Sequence, residues 1–546
     1  MKWTGHFHRG NIRGDIYGGV TAAIVALPLA LAFGVASGVG PVSGLYGAIC
    51  IGFFAAVFGG TPAQISGPTG PMTVVMAAIF VDLSGRDPAQ GPALAFTVVM
   101  LGGVFQILFG MFKIGRYISL IPFSVISGFM SGIGAIIILL QLAPLLGHPA
   151  PEGGTLGTLL QLPELIRQPV PTALGLGLFT LAIVFLLPVR IGRLVPPSLL
   201  ALVAGTFVLW WGFPAGSAST LGQIPAALPA LQWPVFTPEL LGVMLKAGFS
   251  LGLLGAIDSL LTSLVADNIT RTYHDSNREL IGQGIGNIIA GVCGGLPGAG
   301  ATMRTVVNVR AGGQTPLSGM LHAAILLAVV LGTGGLAEHI PHAVLAGILI
   351  KVGIDIVDWD FFRRLRRAPR PAVVLMFTVL LVTVFVDLIA AVGIGVIGAS
   401  LLLVCRMADL QLGQMKILTH PGEEVSFSAA EADLFRRAEG RILLCQFTGP
   451  LSFGAAKDMS RNLTSAGIYQ VLILDMANVP SIDFTSSKAI EDIIRDATDN
   501  GHRVYLACLG EKAVEALQRL DITGGGPLTY MATTRLEALE AAVASL

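Results

Sequence analysis

The chain reads Ser66-Gly67-Pro68-Thr69-Gly70-Pro71-Met72-Thr73 in one place and Gly294-Gly295-Leu296-Pro297-Gly298-Ala299-Gly300-Ala301-Thr302 in another, each time within an apolar run. Inside a membrane, non-helical backbone is tolerated only where protein buries it or where it lines a wet cavity. A matched pair of such breaks is the best sequence indication of a transport site built from two inverted repeats. A helix that starts after each break would turn its free N–H groups and positive dipole end towards the midplane, where they would attract an anion.

The composition indicates a membrane protein. Of the 546 residues, 53% are hydrophobic and only 12% are charged, and the mean hydropathy is +0.76, whereas soluble domains carry about 25% charged residues. The formal net charge is zero, so we expect no nucleic-acid partner. The five cysteines are scattered without the spacing of a metal site or a disulfide framework. The sequence contains no catalytic triad, metal cluster or phosphate loop, so we expect neither an enzyme nor a bound cofactor.

The charged residues are unevenly distributed, and this predicts two domains. Apolar segments of helix length follow one another as far as about residue 406, and from residue 416 the chain has the pattern of a soluble α/β domain. We therefore expect an all-α, polytopic transmembrane transport domain at 1–410 and a small cytoplasmic domain at 411–546, with its core at about 425–546.

About fourteen spans are predicted in the first domain. They lie at 16–37, 42–59, 70–83, 93–112, 118–145, 172–188, 196–213, 240–266, 280–293, 301–310, 317–333, 342–356, 371–387 and 389–405. The third and the tenth directly follow the glycine-rich breaks and are shorter than the ~20 residues of a full crossing, as half-helices should be. Seven spans in each half make the second half inverted relative to the first.

The distribution of Lys and Arg predicts the topology. Basic residues lie at the N-terminus and at the even-numbered span ends: Lys2, Arg9, Arg13, Lys113, Arg116, Arg190, Arg193, Arg271, Arg278, the run Arg363 to Arg370, and Arg406. The opposite-side segments 213–241 and 331–342 contain neither Lys nor Arg. By the positive-inside rule, we expect a multi-pass protein of the inner (plasma) membrane with both termini in the cytoplasm.

Two ionisable residues near the breaks are candidate site residues. Asp258 is followed at i+4 by Thr262, so both side chains share one helix face. A carboxylate beside a hydroxyl suits Na⁺ or a proton. Arg304 lies two residues beyond Thr302, and it has two alternative roles: a buried structural pair with Asp258, or a fixed positive charge that holds an anion. Likewise Thr69 and Thr302 are either anion ligands or ordinary N-caps.

These motifs resemble those of the sulfate permease family, which animals have as solute carrier family 26. The resemblance rests on the run Asp15 to Ala22 with Pro28, the two breaks, Asp258 and the C-terminal domain, and it covers nearly the whole chain. It implies a seven-plus-seven inverted-repeat fold with a core and a gate domain. It also implies that substrate is held between the third and tenth helices and that elevator-like movement of the core gives alternating access.

Within that family, stretches such as 19–23, 26–34, 67–75 and 128–134 are similar to the bicarbonate transporters of cyanobacteria. This resemblance implies Na⁺-coupled uptake of bicarbonate, with Na⁺ as the coupling ion and no other metal. The implied anion contacts are Thr69, Gly70, Ala301, Thr302 and Arg304. The implied Na⁺ contacts are Asp258, Thr262, Gly300 and Thr302.

Other functions remain open from the sequence. Arg304 can neutralise Asp258 where a cation would otherwise lie, which favours transport of sulfate, a dicarboxylate or chloride, either coupled to protons or by exchange. A passive anion channel and a signalling protein acting through the C-terminal domain are less favoured alternatives.

The C-terminal region has predicted strands at 442–447, 471–475 and 504–508 that alternate with helices. It resembles a STAS domain, and this implies a homodimer formed through that domain. Phe484 stands where related signalling domains place a phosphorylatable serine, so packing and dimerisation are favoured over a phosphorylation switch. Thr485 and Ser486 are predicted to cap the following helix.

Overall fold

The computed structural model describes residues 11–118, 122–151, 153–188, 195–214, 216–222, 229–386, 388–421, 427–449, 451, 469–519 and 528–546. The basic residues Lys2, Arg9, Arg190 and Arg193, which contribute to the predicted topology, lie outside these ranges. The chain divides into two compact units, 1–396 and 397–546, and each is described by itself.

The first unit is helical. Its helices are α1 (Ile12–Ala36), α2 (Pro41–Phe58), α3 (Gly70–Arg86), α4 (Gly91–Met111), α5 (Gly115–Ile118), α6 (Phe123–Leu145), α7 (Gly154–Arg167), α8 (Pro171–Leu186), α9 (Pro197–Gly212), α10 (Leu241–Thr270), α11 (Ser276–Val292), α12 (Thr302–Arg310), α13 (Pro316–Ala337), α14 (His342–Ile356), α15 (Trp359–Arg364) and α16 (Arg370–Phe385), and α17 (Leu388–Gln414) continues into the second unit. Each of the fourteen predicted spans contains one of these helices, so the predicted helical architecture is confirmed. The short helices α5, α7 and α15 were not predicted.

Helix lengths differ widely within this unit. By length and composition, six helices among the described residues are able to cross a membrane alone, namely α1, α2, α4, α6, α10 and α17, and α7 with α8 forms a further candidate bent by 111°. Helix α12 has nine residues and α3 has seventeen, so α12 is only about 14 Å long. The half-helix prediction therefore describes α12 well, whereas α3 continues three residues beyond its predicted end.

The order of elements repeats along the chain. Helices α1 and α2 precede strand β1 (Ser66–Gly67) and helices α3 and α4, and helices α10 and α11 precede strand β2 (Ala299–Gly300) and helices α12 and α13. Strands β1 and β2 pair antiparallel, with Ser66 opposite Gly300 and Gly67 opposite Ala299. This is the pairing that two halves of opposite orientation produce where they meet at their breaks.

Small residues allow the helices of the core to approach closely. Gly103 of α4 faces Gly284 of α11, and a Cβ added to either would lie 2.5 Å from the carbonyl oxygen of the other. Since lipid provides no hydrophobic driving force between helices, such close backbone packing is a main source of helix association in membranes. A side chain at either position would force the two helices apart.

A buried carboxylate holds the chain segment that leads into β1. Glu279, in the first turn of α11, is 1% exposed. Its Oε2 accepts hydrogen bonds from the backbone N–H groups of Gly60 and Thr61, at 2.8 and 2.9 Å. Its Oε1 accepts from the amide Nε2 atoms of Gln64 and Gln283, both at 2.8 Å. Four donors therefore satisfy one carboxylate, and the network fixes the approach to the break.

The second unit contains a five-stranded sheet in the order β3-β4-β5-β6-β7. Its elements are β3 (Lys416–Leu418), α18 (Ala429–Arg437), β4 (Ile442–Thr448), β5 (Val471–Asn478), α19 (Phe484–Asp499), β6 (Arg503–Ala507), α20 (Glu511–Gln518), β7 (Thr529–Ala532) and α21 (Arg535–Ser545). Strand β3 is antiparallel to β4, and the other pairs are parallel. The three predicted strands are confirmed, whereas the edge strands β3 and β7 were not predicted.

Helices cover both faces of this sheet and form two cores. One contains Ile490 and Leu517 of α19 and α20, and the other contains Phe435 and Leu539 of α18 and α21. Arg535 donates to the Glu431 carboxylate at 2.9 Å, and this hydrogen bond lowers the pKa of Glu431.

The N-cap of α19 differs from the prediction. Asp483 occupies the cap position, and its carboxylate accepts from the Ser486 N–H at 2.7 Å. The assignment of Thr485 and Ser486 as caps is therefore wrong, because the aspartate directly before the helix already satisfies the free N–H group.

We expect Glu279→Ala to lower the free energy of unfolding by about 3–5 kcal/mol, because it removes the acceptor of four buried hydrogen bonds. Chemical denaturation of the full chain in detergent measures the change. Asp82→Ala is the matched control: it removes an exposed carboxylate paired with Arg86 at 2.9 Å, and it should cost less than about 1 kcal/mol. Equal denaturation midpoints for the two variants would contradict this role of Glu279.

Candidate functional site

The first break ends at the N-terminus of α3. Thr69 is the N-cap residue, and the first hydrogen bond of the helix runs from the N–H of Thr73 to the carbonyl of Thr69, at 2.9 Å. The N–H of Gly70 precedes that bond, so it has no partner within the helix. The positive end of the helix dipole lies at the same place. This end of α3 can therefore attract a negative charge.

The second break ends in the same way at α12. Ala301 is the N-cap residue, and the first hydrogen bond of the helix runs from the N–H of Thr305 to the carbonyl of Ala301, at 2.8 Å. The N–H groups of Thr302 and Arg304 lie ahead of that bond. Because β1 pairs with β2 two to three residues before the helices begin, the structure brings the two helix N-termini together.

The ordinary capping role of the two threonines is wrong. Thr69 occupies a cap position, but its hydroxyl makes no cap hydrogen bond and no other hydrogen bond of good geometry within the described residues; it lies next to the Asp258 carboxylate. Thr302 is the first residue of α12 rather than its cap. Its hydroxyl lies 2.7 Å from that of Thr262. Both hydroxyls instead lie against side chains of α10, Thr302 against Thr262 and Thr69 against Asp258.

Oxygen atoms from α10 and the second break form a cluster. The Thr262 hydroxyl donates to the carbonyl of Gly300 at 2.9 Å and also contacts Thr302. Asp258 lies one turn earlier on the same face of α10, is 7% exposed, and has an Oδ2 atom without a hydrogen-bond partner in the described part of the chain. Thus three residues of the expected cation site, Thr262, Gly300 and Thr302, are in contact, and Asp258 lies one helix turn from Thr262. Carboxylate, hydroxyl and carbonyl oxygens are hard donors, a set that fits a small hard cation.

Arg304 connects the two breaks. Its side chain is buried, and its Nη2 donates to the carbonyl of Pro68 at 2.5 Å. A Cβ added to Gly67 would lie 2.8 Å from the guanidinium Nη1, so the guanidinium needs a glycine there. Arg304 and Asp258 attract one another electrostatically, but no salt bridge within 4.0 Å joins them among the described ion pairs. The structural pair considered from the sequence is therefore not formed as a contact.

Sequence reasoning missed the residues that brace β2. The N–H of Gly300 donates to the Ser259 hydroxyl at 3.1 Å. The side-chain amide of Asn287 both donates to the carbonyl of Gly298 and accepts from its N–H, each at 2.9 Å. A signal was present, since Ser259 and Ser263, and likewise Gln283 and Asn287, are polar pairs at i,i+4 inside apolar spans.

An apolar cavity adjoins the N-terminus of α3. It lies between α1, α3, α6 and α14, and its lining includes Phe33, Gly70, Thr73, Ile137, Gln141 and Leu349. A Cβ on Gly70 would meet Ile137 at 2.7 Å and Ile356 at 3.0 Å. The site is thus bounded on one side by hydrogen-bonded backbone and on the other by apolar side chains of α6 and α14.

Comparisons with known proteins agree with these features. The sulfate permease family model matches residues 12–379, and the STAS domain model matches residues 436–532. The chain is 47% identical over 507 residues to the bicarbonate transporter BicA of Synechocystis sp., covering 93% of this chain and 90% of that protein. It is also 47% identical over 549 residues to BicA of Picosynechococcus sp., covering 100% and 97%. A putative sulfate transporter, YvdB of Bacillus subtilis, is 30% identical over 88% of each chain.

Solved structures show the same fold. The transmembrane domain of a cyanobacterial bicarbonate transporter BicA matches with a TM-score of 0.66 and 53% identity, covering 71% of this chain and 99% of that one. The overall structure of SLC26A9 matches with a TM-score of 0.82 at 17% identity, covering 98% and 91%. With a helical membrane unit followed by a STAS domain, and with transporters as its relatives, the chain belongs to the sulfate permease family and is a transporter rather than an enzyme.

Proposed function

We propose that this chain takes up bicarbonate together with Na⁺ by elevator-like alternating access. The observation that carries the proposal is the meeting of two helix N-termini beside an oxygen cluster that contains an unpartnered carboxylate atom, Oδ2 of Asp258. The identity of 47% to two proteins named as bicarbonate transporters supports the choice of anion.

The anion would be held by groups that are free to donate. These are the N–H of Gly70, the first N–H groups of α12 from Thr302 onward, and the Thr69 hydroxyl, which lies next to Asp258 without a hydrogen bond of good geometry within the described residues. The N–H of Ala301 donates to the carbonyl of Ile65 at 2.8 Å, so that N–H is already used. Bicarbonate is small and carries one negative charge, so two helix dipoles and a few donors suffice to replace its hydration. Arg304 adds a fixed positive charge behind the backbone of Pro68.

The charges of the site favour coupling to a monovalent cation. Asp258 and Arg304 are both buried, and their opposite charges cancel. A bound monovalent anion then leaves one uncompensated negative charge, which costs several kcal/mol in a low dielectric. Na⁺ held by oxygens of Asp258, Thr262, Gly300 and Thr302 would restore neutrality. Each ion would thereby raise the affinity for the other.

The hydrogen bonds around the site support the proposal that the site moves as one rigid body. Hydrogen bonds join β1, β2, α10 and α11 through side chains such as Thr262, Ser259 and Asn287, whereas the facing wall of the cavity, from α6 and α14, is largely apolar. An apolar boundary can slide without breaking hydrogen bonds. The hydrogen-bonded elements would therefore be the moving core, and α6 and α14 would belong to the gate.

A second candidate function is Na⁺-independent transport of sulfate, a dicarboxylate or chloride. Arg304 favours it, because a buried guanidinium close to Asp258 can neutralise that carboxylate where a cation would otherwise lie. In either case, the proposed arrangement is a homodimer through the STAS domain in the inner membrane, with both termini in the cytoplasm. The Lys and Arg residues at the even-numbered span ends support that orientation.

The first test is uptake of labelled bicarbonate into proteoliposomes at alkaline pH, where little of the label is CO₂. We expect an inward Na⁺ gradient to raise the initial rate by about tenfold over a matched K⁺ gradient, because the cation completes the site. Protein-free liposomes are the control. Equal rates in the two gradients would exclude Na⁺ coupling, and sulfate uptake independent of Na⁺ would establish the second candidate.

We expect Asp258→Asn to abolish the dependence of uptake on Na⁺, because an amide cannot supply the negative charge that the cation needs. The readout is the Na⁺ concentration at half-maximal uptake. Asp267→Asn is the matched control, since Asp267 lies on the same helix but is bonded to His274 at 2.7 Å, outside the site. Unchanged Na⁺ dependence in Asp258→Asn would refute the cation role.

We expect Arg304→Gln to raise the KM for the anion by about ten- to a hundredfold, since a charge-assisted contribution of ~1.5–3 kcal/mol is lost. Concentration-dependent uptake measures the KM. Arg310→Gln, at the exposed end of the same helix, is the control and should leave the KM unchanged. An unaltered KM in Arg304→Gln would show that Arg304 donates to the Pro68 carbonyl without contributing to anion binding.

A further inference from the structure

Five arginines lie within eight residues of the connection between α15 and α16: Arg363, Arg364, Arg366, Arg367 and Arg370. All five are exposed. Among the described residues this connection contains one ion pair, between Arg363 and Asp360 at 3.6 Å, with side chains 79% and 78% exposed. Exposed ion pairs of this kind contribute little stabilisation. The arginine segment therefore carries a concentrated positive charge that the chain itself hardly compensates.

Aromatic side chains hold the arginine segment at the ends of membrane helices. Trp359 is half exposed, and its indole N–H donates to the carbonyl of Ile354 in α14 at 2.7 Å. Its ring contacts that of Phe362, which in turn contacts Phe377 of α16, with centroids 6.1 Å apart in each pair. Trp residues of this kind lie at the level of the lipid head groups. We therefore expect the arginines to lie at the depth of the lipid phosphates.

Helix α16 strengthens the attraction for anions. Its N-cap residue is Pro369, which makes no side-chain cap hydrogen bond, so this residue leaves the first N–H groups at the positive end of the helix dipole uncapped. Beyond this end, Val374, Leu381 and Phe385 form an exposed apolar stripe along the helix, 64%, 51% and 42% exposed. A charged region next to an apolar stripe matches a molecule with an anionic head and hydrocarbon tails.

We propose that the arginine segment, residues 363–370, binds the phosphodiester head groups of anionic phospholipids in the adjacent leaflet. Each guanidinium offers two parallel N–H donors that match two phosphate oxygens. Clusters of four or more basic residues directly beside a membrane helix are typical of such recognition. The apolar stripe of α16 favours a lipid over a soluble phosphate, because it provides a surface for the acyl chains. This site is separate from the transport site and does not depend on the transported anion.

The test uses the purified full chain in detergent and counts bound lipids by native mass spectrometry. Dioleoyl phosphatidylglycerol is titrated against dioleoyl phosphatidylcholine. The variant Arg363→Gln/Arg364→Gln/Arg366→Gln/Arg367→Gln should lose about tenfold or more in affinity for phosphatidylglycerol and keep its affinity for phosphatidylcholine. The same affinity for phosphatidylglycerol in variant and parent would overturn the proposal.

Two controls keep the result specific. The variant Arg436→Gln/Arg437→Gln/Arg495→Gln/Arg519→Gln removes four exposed arginines from the second unit, so the change in net charge is equal. It should bind phosphatidylglycerol like the parent, and an equal loss would show a non-specific charge effect and overturn the site. Added inorganic phosphate should not displace the lipid, and displacement would assign the segment to soluble phosphate instead.

A second variant covers the case in which loss of four arginines disturbs membrane insertion. Arg366→Gln/Arg367→Gln keeps three of the five basic residues. It should still lower the affinity for phosphatidylglycerol by about threefold or more. An affinity equal to that of the parent would count against the arginine segment as the lipid site.

Discussion

The fold depends on a short antiparallel pairing of β1 with β2, in which Ser66 lies opposite Gly300 and Gly67 opposite Ala299. In an apolar environment each unpaired backbone N–H or C=O costs several kcal/mol, so a break in a helix survives only where other groups satisfy it. Here each break is the main partner of the other. Asn287 and Ser259 satisfy further backbone groups of the second break, and Arg304 satisfies the carbonyl of Pro68. The helix N-termini are consequently fixed in register with one another by hydrogen bonds within the protein itself.

The two buried charges of the site are near one another without forming a contact pair. A direct salt bridge would satisfy both partners and leave little for a ligand to gain. Instead, Arg304 donates a hydrogen bond to the backbone carbonyl of Pro68, and Oδ2 of Asp258 lacks a hydrogen-bond partner among the described residues. The Thr69 hydroxyl, which also lacks a well-formed hydrogen bond there, lies next to Asp258. Under the proposed function, a bound ion would provide the partners that these buried atoms lack, and this gain would contribute to its affinity.

Much of the fold was predictable from the sequence, because helix length, apolar content and Gly or Pro breaks are local properties. All fourteen predicted spans contain helices, and the two breaks meet as their symmetry suggested. The Glu279 network was not predictable, since its partners Gln64 and Gln283 come from different segments of the chain. Strands β3 and β7 are three and four residues long, too short for a clear alternation. Residue type alone indicated Asp258, Thr262 and Arg304 as candidate site residues. Only the structure shows which groups their side chains contact.

The bond between Arg304 and Pro68 joins residues 236 positions apart. At a translation rate of ~5–20 residues per second, the first break waits roughly 10–50 s for its partner to be synthesised. Throughout that interval its carbonyls and N–H groups have no counterpart from the second half, yet they already belong to a segment flanked by apolar helices. The first half must therefore remain next to water or the insertion machinery until the second half arrives. Biogenesis of this protein is thus constrained by the same pairing that joins its two breaks.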